Sequence, residues 1–327
     1  MKHEAWRHDP AAFGSTQPVA ARYADVDTRR HVNNIAVYGL HQEARQRWLR
    51  AAGGGSAGLV DRVADCAADH AADRAAVRPA GSLLLKPLSS RTEFWRECHY
   101  PAPIDARLRL LQASPAGLTL AGGLFQGGVC VGMQQTHLAA WAPDLRTTAA
   151  LPEDWLGSLA GSVQPAGALP ASHCPAGAAQ RHNYPVAATL ASRYGDFDAD
   201  GGSSELAVMR GIEQARAALL KAAFTAAGGD DPTHDWTRLL VARIDLHWLH
   251  HRAPPAHWAL ASAVTHTGRS SVVLRVAMFD GQALQAMADC VMVYTEPAGP
   301  PGAAPLPLAL RAALQSFHWF TGDTSCP

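Results

Sequence analysis

The sequence predicts an α+β chain in which one unit, a strand, a helix and an antiparallel meander, is built twice. Three observations predict it: an Asp-x-Asp turn leading into an amphipathic helix, a run of alternating apolar segments behind that helix, and a second copy of the same order. The chain has 327 residues, 48% of them hydrophobic and 17% charged. That is enough for two cores, and too apolar for a disordered chain. Lys+Arg and Asp+Glu are both 28, so no charge excess points to nucleic acid or to an acidic membrane surface.

The first unit opens with a polar lead-in, residues 1–17, and then runs through Arg22-Tyr23-Ala24-Asp25-Val26-Asp27-Thr28-Arg29-Arg30-His31-Val32-Asn33-Asn34. Val37, Leu40, Ala44, Trp48 and Ala51 recur at three or four and predict a helix to about Ala52 with these residues on one face. Asn33 or Asn34 suits its N-cap, and Gly53-Gly54-Gly55 its stop. A helical or irregular connection is expected over 56–80. Strands are expected at Ser82–Leu88, Thr92–Cys98, Ala106–Gln112, Leu118–Phe125 and Val129–Ala139. Leu108 and Leu110 alternate with Arg107 and Arg109, the pattern of a sheet with one wet face. Turns fall at Pro115-Ala116-Gly117 and Gln126-Gly127-Gly128.

The order then repeats. Arg193-Tyr194-Gly195-Asp196-Phe197-Asp198 matches the first motif, Asp27 falling on Asp198 at an offset of 171. Val208, Ile212, Ala215 and Leu219 mark a second helix, and Leu239–Trp248, Trp258–Thr267, Ser270–Phe279 and Leu284–Tyr294 a second meander. Its turns are Thr267-Gly268-Arg269 and Asp280-Gly281. An offset of 152 there pairs Arg91 with Arg243 and His99 with His251. The expected divisions are a domain at 1–160, an Ala/Gly/Pro-rich linker at 161–180, a domain at 181–315 and a tail at 316–327.

The six cysteines (Cys66, Cys98, Cys130, Cys174, Cys290, Cys326) lack framework spacing and read as reduced thiols. The N-terminus has no signal-peptide core, and no apolar run approaches a membrane span, so a soluble, cytoplasmic protein is expected. The 16 His are mostly scattered and no Cys-x-x-Cys pair accompanies them, so no metal is expected. No Gly-x-Ser-x-Gly elbow or Gly-x-Gly-x-x-Gly fingerprint follows a strand, and there is no phosphate loop.

Asp-Val-Asp-Thr-Arg-Arg-His-Val-Asn-Asn, followed by Tyr38 and Glu43-Ala44-Arg45, resembles the signature of hotdog-fold thioesterases. That grouping includes the 4-hydroxybenzoyl-CoA thioesterase-like, bacterial acyl-CoA and plant acyl-ACP enzymes. The resemblance covers residues 18–159 and 185–314. It implies two tandem hotdog domains, each a long helix wrapped by a curved antiparallel sheet, and active sites where such units pair. One chain then forms a pseudo-dimer by itself, or pairs further as a homodimer. It also implies hydrolysis of an acyl-CoA or acyl-carrier-protein thioester with no cofactor beyond the CoA of the substrate.

By that resemblance Asp27 is the attacking or water-activating carboxylate, a role favoured by desolvation in a partly dry crevice; the alternative is that it caps a turn. Asp25 reads as structural. His31 is a candidate to orient water, bond the carboxylate or hold the loop. Asn33 and Asn34 start the helix, and N–H groups there are candidates to polarise the thioester carbonyl. Tyr38 and Glu43 are candidate substrate contacts, with packing the alternative for Tyr38. Arg29 stands where the acyl-ACP enzymes carry Asn, so their polar network does not transfer intact.

In the second half Gly202 replaces His31 and Met209 replaces Tyr38. A second site there, Asp198 with Ser203, Ser204 and Glu205, is expected to be weak or silent, or else to use Asp198 and Glu205 as its own acid–base pair. Two further functions stay open. One is an enoyl-thioester hydratase or dehydratase using a His–carboxylate pair; the other is a non-catalytic acyl-thioester-binding protein.

Overall fold

The computed structural model describes residues 4–53, 84–142, 144–167, 169, 174–228, 238–295 and 302–320. The connection expected over 56–80, Cys66, Cys326 and the last part of the tail lie outside them. The fold is α+β, with antiparallel sheets and few helices. The chain divides into compact units at Met1–Ala171 and Ser172–Pro327, a boundary inside the Ala/Gly/Pro-rich segment.

In the first unit, β1 (Ser15–Val19) leads to α1 (Asn34–Gly53), followed by β2 (Leu84–Phe94), β3 (Ile104–Ser114), β4 (Gly117–Gln126), β5 (Val129–Trp141), the short β6 (Thr148–Ala149) and α2 (Glu153–Leu159). The strand order is β1-β3-β4-β5-β2, with β6 against β5. The two runs expected at 82–98 are one strand, β2, bent by a bulge between Pro87 and Ser89. An unpaired residue inside an apolar run reads in sequence as a break, although the ladder continues through it.

α1 lies on one face of this sheet. Val37, Leu40 and Ala44 pack with Ile104, Ala106, Leu108 and Leu124. Further along, Leu49 meets Leu110, Leu118, Leu120 and Leu138 beside Trp155 and Leu159 of α2. The buried stripe thus turns onto Leu49, while Trp48 is only partly buried and Ala51 is exposed.

The other sheet face is not wet. Phe13 and the partly buried Trp6 and Ala12 cover Leu111, Ala121, Phe125, Cys130 and Met133. Arg107 donates to the Pro10 carbonyl (3.2 Å) and Arg109 to the Ala12 carbonyl (2.8 Å), with the Arg109 guanidinium 5.0 Å from the Trp6 ring centre. The lead-in is therefore a strap whose carbonyls bond those arginines. The segment expected as a linker begins on the same sheet, where Gln164 N–H bonds the Leu110 carbonyl and the Gln135 amide grips both backbone groups of Leu169 (2.9 and 2.6 Å).

The second unit contains β7 (Val186–Ala191), α3 (Glu205–Ala226), β8 (Leu239–Trp248), β9 (His257–Thr267), β10 (Ser271–Asp280), β11 (Ala283–Tyr294) and α4 (Leu308–Gln315). Its strand order is β7-β9-β10-β11-β8. The register repeats that of the first unit pair for pair. Asp105 faces Phe125 as Ala259 faces Phe279, and Phe94 faces Gly132 as Trp248 faces Ala286. The bulges recur at equivalent positions. This fixes the meander offset at 154, not 152. Arg91 corresponds to Asp245 and His99 to Ala253; the identities Arg91/Arg243 and His99/His251 are coincidental. Val208, Ile212, Ala215 and Leu219 are buried as the helix face requires.

Cys98, Cys130, Cys174 and Cys290 are free thiols. Among the described residues, no helix is long and apolar enough to cross a membrane.

One buried polar residue in the first unit has a consequence for stability. His41 on α1 is 2% exposed, and burial, then the Arg45 charge, push its pKa from 6.5 down to about 3. Gly122 makes room for it, since a Cβ there would lie 3.2 Å from His41 Nδ1. The equivalent positions in the second unit hold Ile212 and Val276. An unfolded chain takes up this proton near pH 6.5, whereas the folded chain refuses it until about pH 3. Stability present above pH 6.5 is therefore lost as the pH falls through that window, by at most about 1.4 kcal/mol per pH unit. Urea unfolding at pH 7, 5.5 and 4.5 is expected to show a shallower acid loss in His41→Leu than in wild type. Equal slopes would contradict it.

Candidate functional site

The Asp-x-Asp segment forms a closed turn ahead of α1. Val26 and Val32 form an antiparallel bridge. Asp27 N–H bonds the His31 carbonyl (2.8 Å), and Arg30 N–H bonds the Asp27 carbonyl (2.9 Å). This is a type I-like turn followed by a residue in the left-handed region, Arg30 at φ 64°. Asp27 Oδ1 accepts the N–H groups of Arg29 (2.9 Å) and His31 (3.0 Å). Asp27 therefore does the turn-capping that the sequence offers as the alternative to catalysis. Its side chain is exposed, not enclosed in a dry crevice of its unit. Its Oδ2 accepts no hydrogen bond from any described residue.

Asp25 faces the other way. Its carboxylate takes the Arg22 N–H (2.8 Å) and guanidinium (2.8 and 3.2 Å), and the Arg22 hydrogen bond lowers its pKa. Its carbonyl accepts both the backbone N–H (2.8 Å) and the side-chain amide (2.7 Å) of Asn33. Asn33 is the N-cap, its Oδ1 accepting the Ala36 N–H at 2.9 Å. Asn34 is the first helical residue. The N–H groups of Asn34 and Ile35 donate to no described residue, as the first turn of a helix leaves them.

Tyr38 is fully buried. Glu43 lies on the surface in an ion pair with Arg47 (2.7 Å), and Arg47 also donates to the Pro18 carbonyl (2.8 Å). These bonds tie α1 to the end of β1.

His31 reaches a group that sequence reasoning missed. An antiparallel bridge pairs His31 with His99, and Val32 N–H bonds the Cys98 carbonyl (2.8 Å). Glu97 Oε2 lies 3.3 Å from His31 Nε2 and 3.8 Å from His99 Nε2. Glu-x-His at 97–99 is too short a pattern to have flagged this.

The second unit builds the same turn. Asp198 Oδ1 accepts the N–H groups of Asp200 and Gly202, each at 2.9 Å. Gly201 takes the left-handed position at φ 79°. Ser204 is the N-cap, its Oγ accepting the Ala207 N–H at 3.1 Å, and Ser204 N–H bonds the Asp196 carbonyl (2.8 Å). Ser203 is buried, donating to the Arg252 carbonyl (2.6 Å) and accepting from Gln285 (2.9 Å). Glu205 is the first residue of α3 and is buried.

No family model matches the chain, and no curated protein matches its sequence. Solved structures do. A chain assigned as an oleoyl thioesterase from Lactobacillus plantarum superposes with TM-score 0.63 at 6% identity, covering 86% of this chain and 96% of that one. A 12:0-ACP thioesterase from Umbellularia californica gives 0.62 at 11% identity, covering 90% and 100%. An acyl-ACP thioesterase from Bacteroides thetaiotaomicron gives 0.58 at 12%, covering 85% and 97%. The likeness at such identities is one of fold: this chain has the fold of hotdog thioesterases.

The two turns differ at the left-handed position, which is strained for Arg30 and relaxed for Gly201. Arg30→Gly is expected to be neutral or stabilising by up to about 1 kcal/mol, although glycine elsewhere usually destabilises. Chemical denaturation reads this directly, and a clear loss of stability would show that Arg30 carries a compensating role.

Proposed function

We propose that this chain is a tandem double-hotdog thioesterase that hydrolyses an acyl-CoA or acyl-carrier-protein thioester with Asp27 as its working carboxylate. The observation that carries the reading is the state of that carboxylate. Oδ1 is fixed by two backbone N–H donors, while Oδ2, in an exposed side chain, takes no bond from a described residue. A carboxylate so held is oriented, and has one oxygen to accept a proton from water or to attack the thioester carbon.

In the general-base route, Oδ2 takes the proton of a water that adds to the carbonyl. The tetrahedral intermediate then expels the thiolate, which is protonated to the free thiol, and the acid is released. In the covalent route, Oδ2 adds to the carbonyl and displaces the thiolate, and water cleaves the resulting anhydride. In both routes the developing oxyanion needs donors. The N–H groups of Asn34 and Ile35 at the start of α1 are suited to this, and one such donor is worth about 3 kcal/mol. The fold shared with three thioesterases supports the reading, as does the repeated register, which suits a tandem origin. Asp198 is assigned a structural part, its turn rebuilt without the histidine.

One observation favours a second reading. The His31–Glu97 pair is a His–carboxylate couple of the kind a hydratase acting on enoyl thioesters would use to move protons.

Thiol release from short, long and aromatic acyl-CoA esters and from acyl-carrier protein separates these readings. Asp27→Asn is expected to lower turnover by about a hundredfold or more, with Asp198→Asn near wild type once folding is verified. Equal loss in both would overturn the assignment of the two halves. Hydration of an enoyl-CoA without thiol release would replace hydrolysis by the second reading, and tight binding without turnover would make the chain a binding protein.

A further inference from the structure

We propose that His31, Glu97 and His99 form a divalent-metal site of the zinc-binding type, which clamps the motif turn of the first unit to the connection between β2 and β3. The one ligating atom that each offers lies within 4.8 Å of the others. Two imidazoles and one carboxylate, with a remaining position for water, form a donor set that zinc takes, and neutral imidazole is its common nitrogen ligand.

The spacing fits this chemistry. Metal–ligand bonds of about 2.0–2.1 Å in a tetrahedron put ligand atoms roughly 3.3–3.4 Å apart. Glu97 Oε2 is already 3.3 Å from His31 Nε2 and 3.8 Å from His99 Nε2. Both histidines turn Nε2 toward the same carboxylate oxygen, and their rings meet edge to face with centres 5.1 Å apart. The remaining closure is a small rotation of side chains that are 24%, 59% and 53% exposed for His31, Glu97 and His99.

The backbone beneath them is held in place. His31 and His99 are direct partners across an antiparallel bridge. Val32 N–H bonds the Cys98 carbonyl at 2.8 Å. The Gln126 side chain accepts from His99 N–H (3.0 Å) and donates to the His99 carbonyl (2.7 Å). Two of the three ligands therefore start from a fixed separation, which lowers the ordering cost of binding. A simple ion pair needs only one histidine on Glu97, and needs it protonated. Two histidines converging on one oxygen fit a metal better.

The second unit supplies a comparison within the chain. Its equivalents of His31, Glu97 and His99 are Gly202, His251 and Ala253, so two of the three donors are missing from a backbone of the same register. The site belongs to the unit that keeps the His-Val-Asn-Asn motif. A metal there would fix the His31 ring and, through the two bonds between Asp27 and the His31 backbone, the Asp27 turn.

The test is zinc titration of the full chain by calorimetry at pH 7.5, beside His99→Ala and Glu97→Gln, with folding checked by circular dichroism. One zinc per chain is expected in wild type, with affinity lowered by about tenfold or more in each variant. Cobalt(II) absorption of wild type gives an independent reading that needs no variant. An intense d–d spectrum, quenched by zinc, is expected for a site of four or five ligands; the weak spectrum of hexa-aqua cobalt would overturn the proposal. Folded variants that bind zinc as tightly as wild type, or a wild type that binds none, would overturn it equally. These readouts are independent of turnover, so they stand or fall separately from the hydrolase reading.

Discussion

The structure of each unit depends on one short-range interaction: a carboxylate oxygen accepting two backbone N–H groups across a five-residue turn. In the first unit Asp27 Oδ1 holds Arg29 and His31; in the second Asp198 Oδ1 holds Asp200 and Gly202. Each bond contributes on the order of 1 kcal/mol, but their placement matters more than their sum. They close the turn so that Val26 meets Val32 and Phe197 meets Ser203. The next residue then caps a helix, through Asn33 or Ser204. The helix starts in register with the sheet it covers because this turn ends where it does. A residue that performs this work is fixed in orientation, which is also what a catalytic carboxylate needs; under the proposed reading the structural and chemical roles would coincide at Asp27.

The two units keep the scaffold and change what it carries. His41 sits beside Gly122, while the equivalent places hold Ile212 and Val276; Arg45 and Arg216 are both retained and buried. At the turn, Val32 becomes Ser203, whose hydroxyl is used up on the Arg252 carbonyl and the Gln285 amide. Buried polar groups need such partners. The second turn thus carries Gly202 in place of the motif histidine, beside a buried network of Ser203, Gln285 and the Arg252 carbonyl. Identical register with divergent polar content is what such a scaffold allows, since backbone pairing fixes positions while side chains, even buried ones, can change where volume and hydrogen bonds are rebalanced locally.

Much of this was legible in the sequence because it is local. The Asp-x-Asp turn, the Asn cap, the helix faces and the hairpin turns at Gly127-Gly128 and Gly281 are each set by a few adjacent residues. What the sequence hid depends on distant partners. Matching side chains, Arg91 with Arg243 and His99 with His251, point to a meander offset of 152, whereas backbone pairing sets it two residues away. Arg107 and Arg109 alternated like a wet face because nothing in the polar lead-in announces that its carbonyls will bond them. The enclosure expected around Asp27 came from chemistry required of it, not from its neighbours in the chain. His31 and Glu97 are far apart in sequence and meet only because Val32 pairs with Cys98.

The central claim is that Asp27, and not Asp198, faces the reacting carbon of a thioester. A crystal structure of the full chain with a non-hydrolysable acyl-CoA thioether or ketone analogue tests it most directly. The account predicts the carbonyl-equivalent carbon within about 3.5 Å of Asp27 Oδ2, or one water away, with its oxygen toward the N–H groups of Asn34 and Ile35. An analogue seated on the Asp198 turn, or bound with its acyl carbon away from both carboxylates, would contradict it.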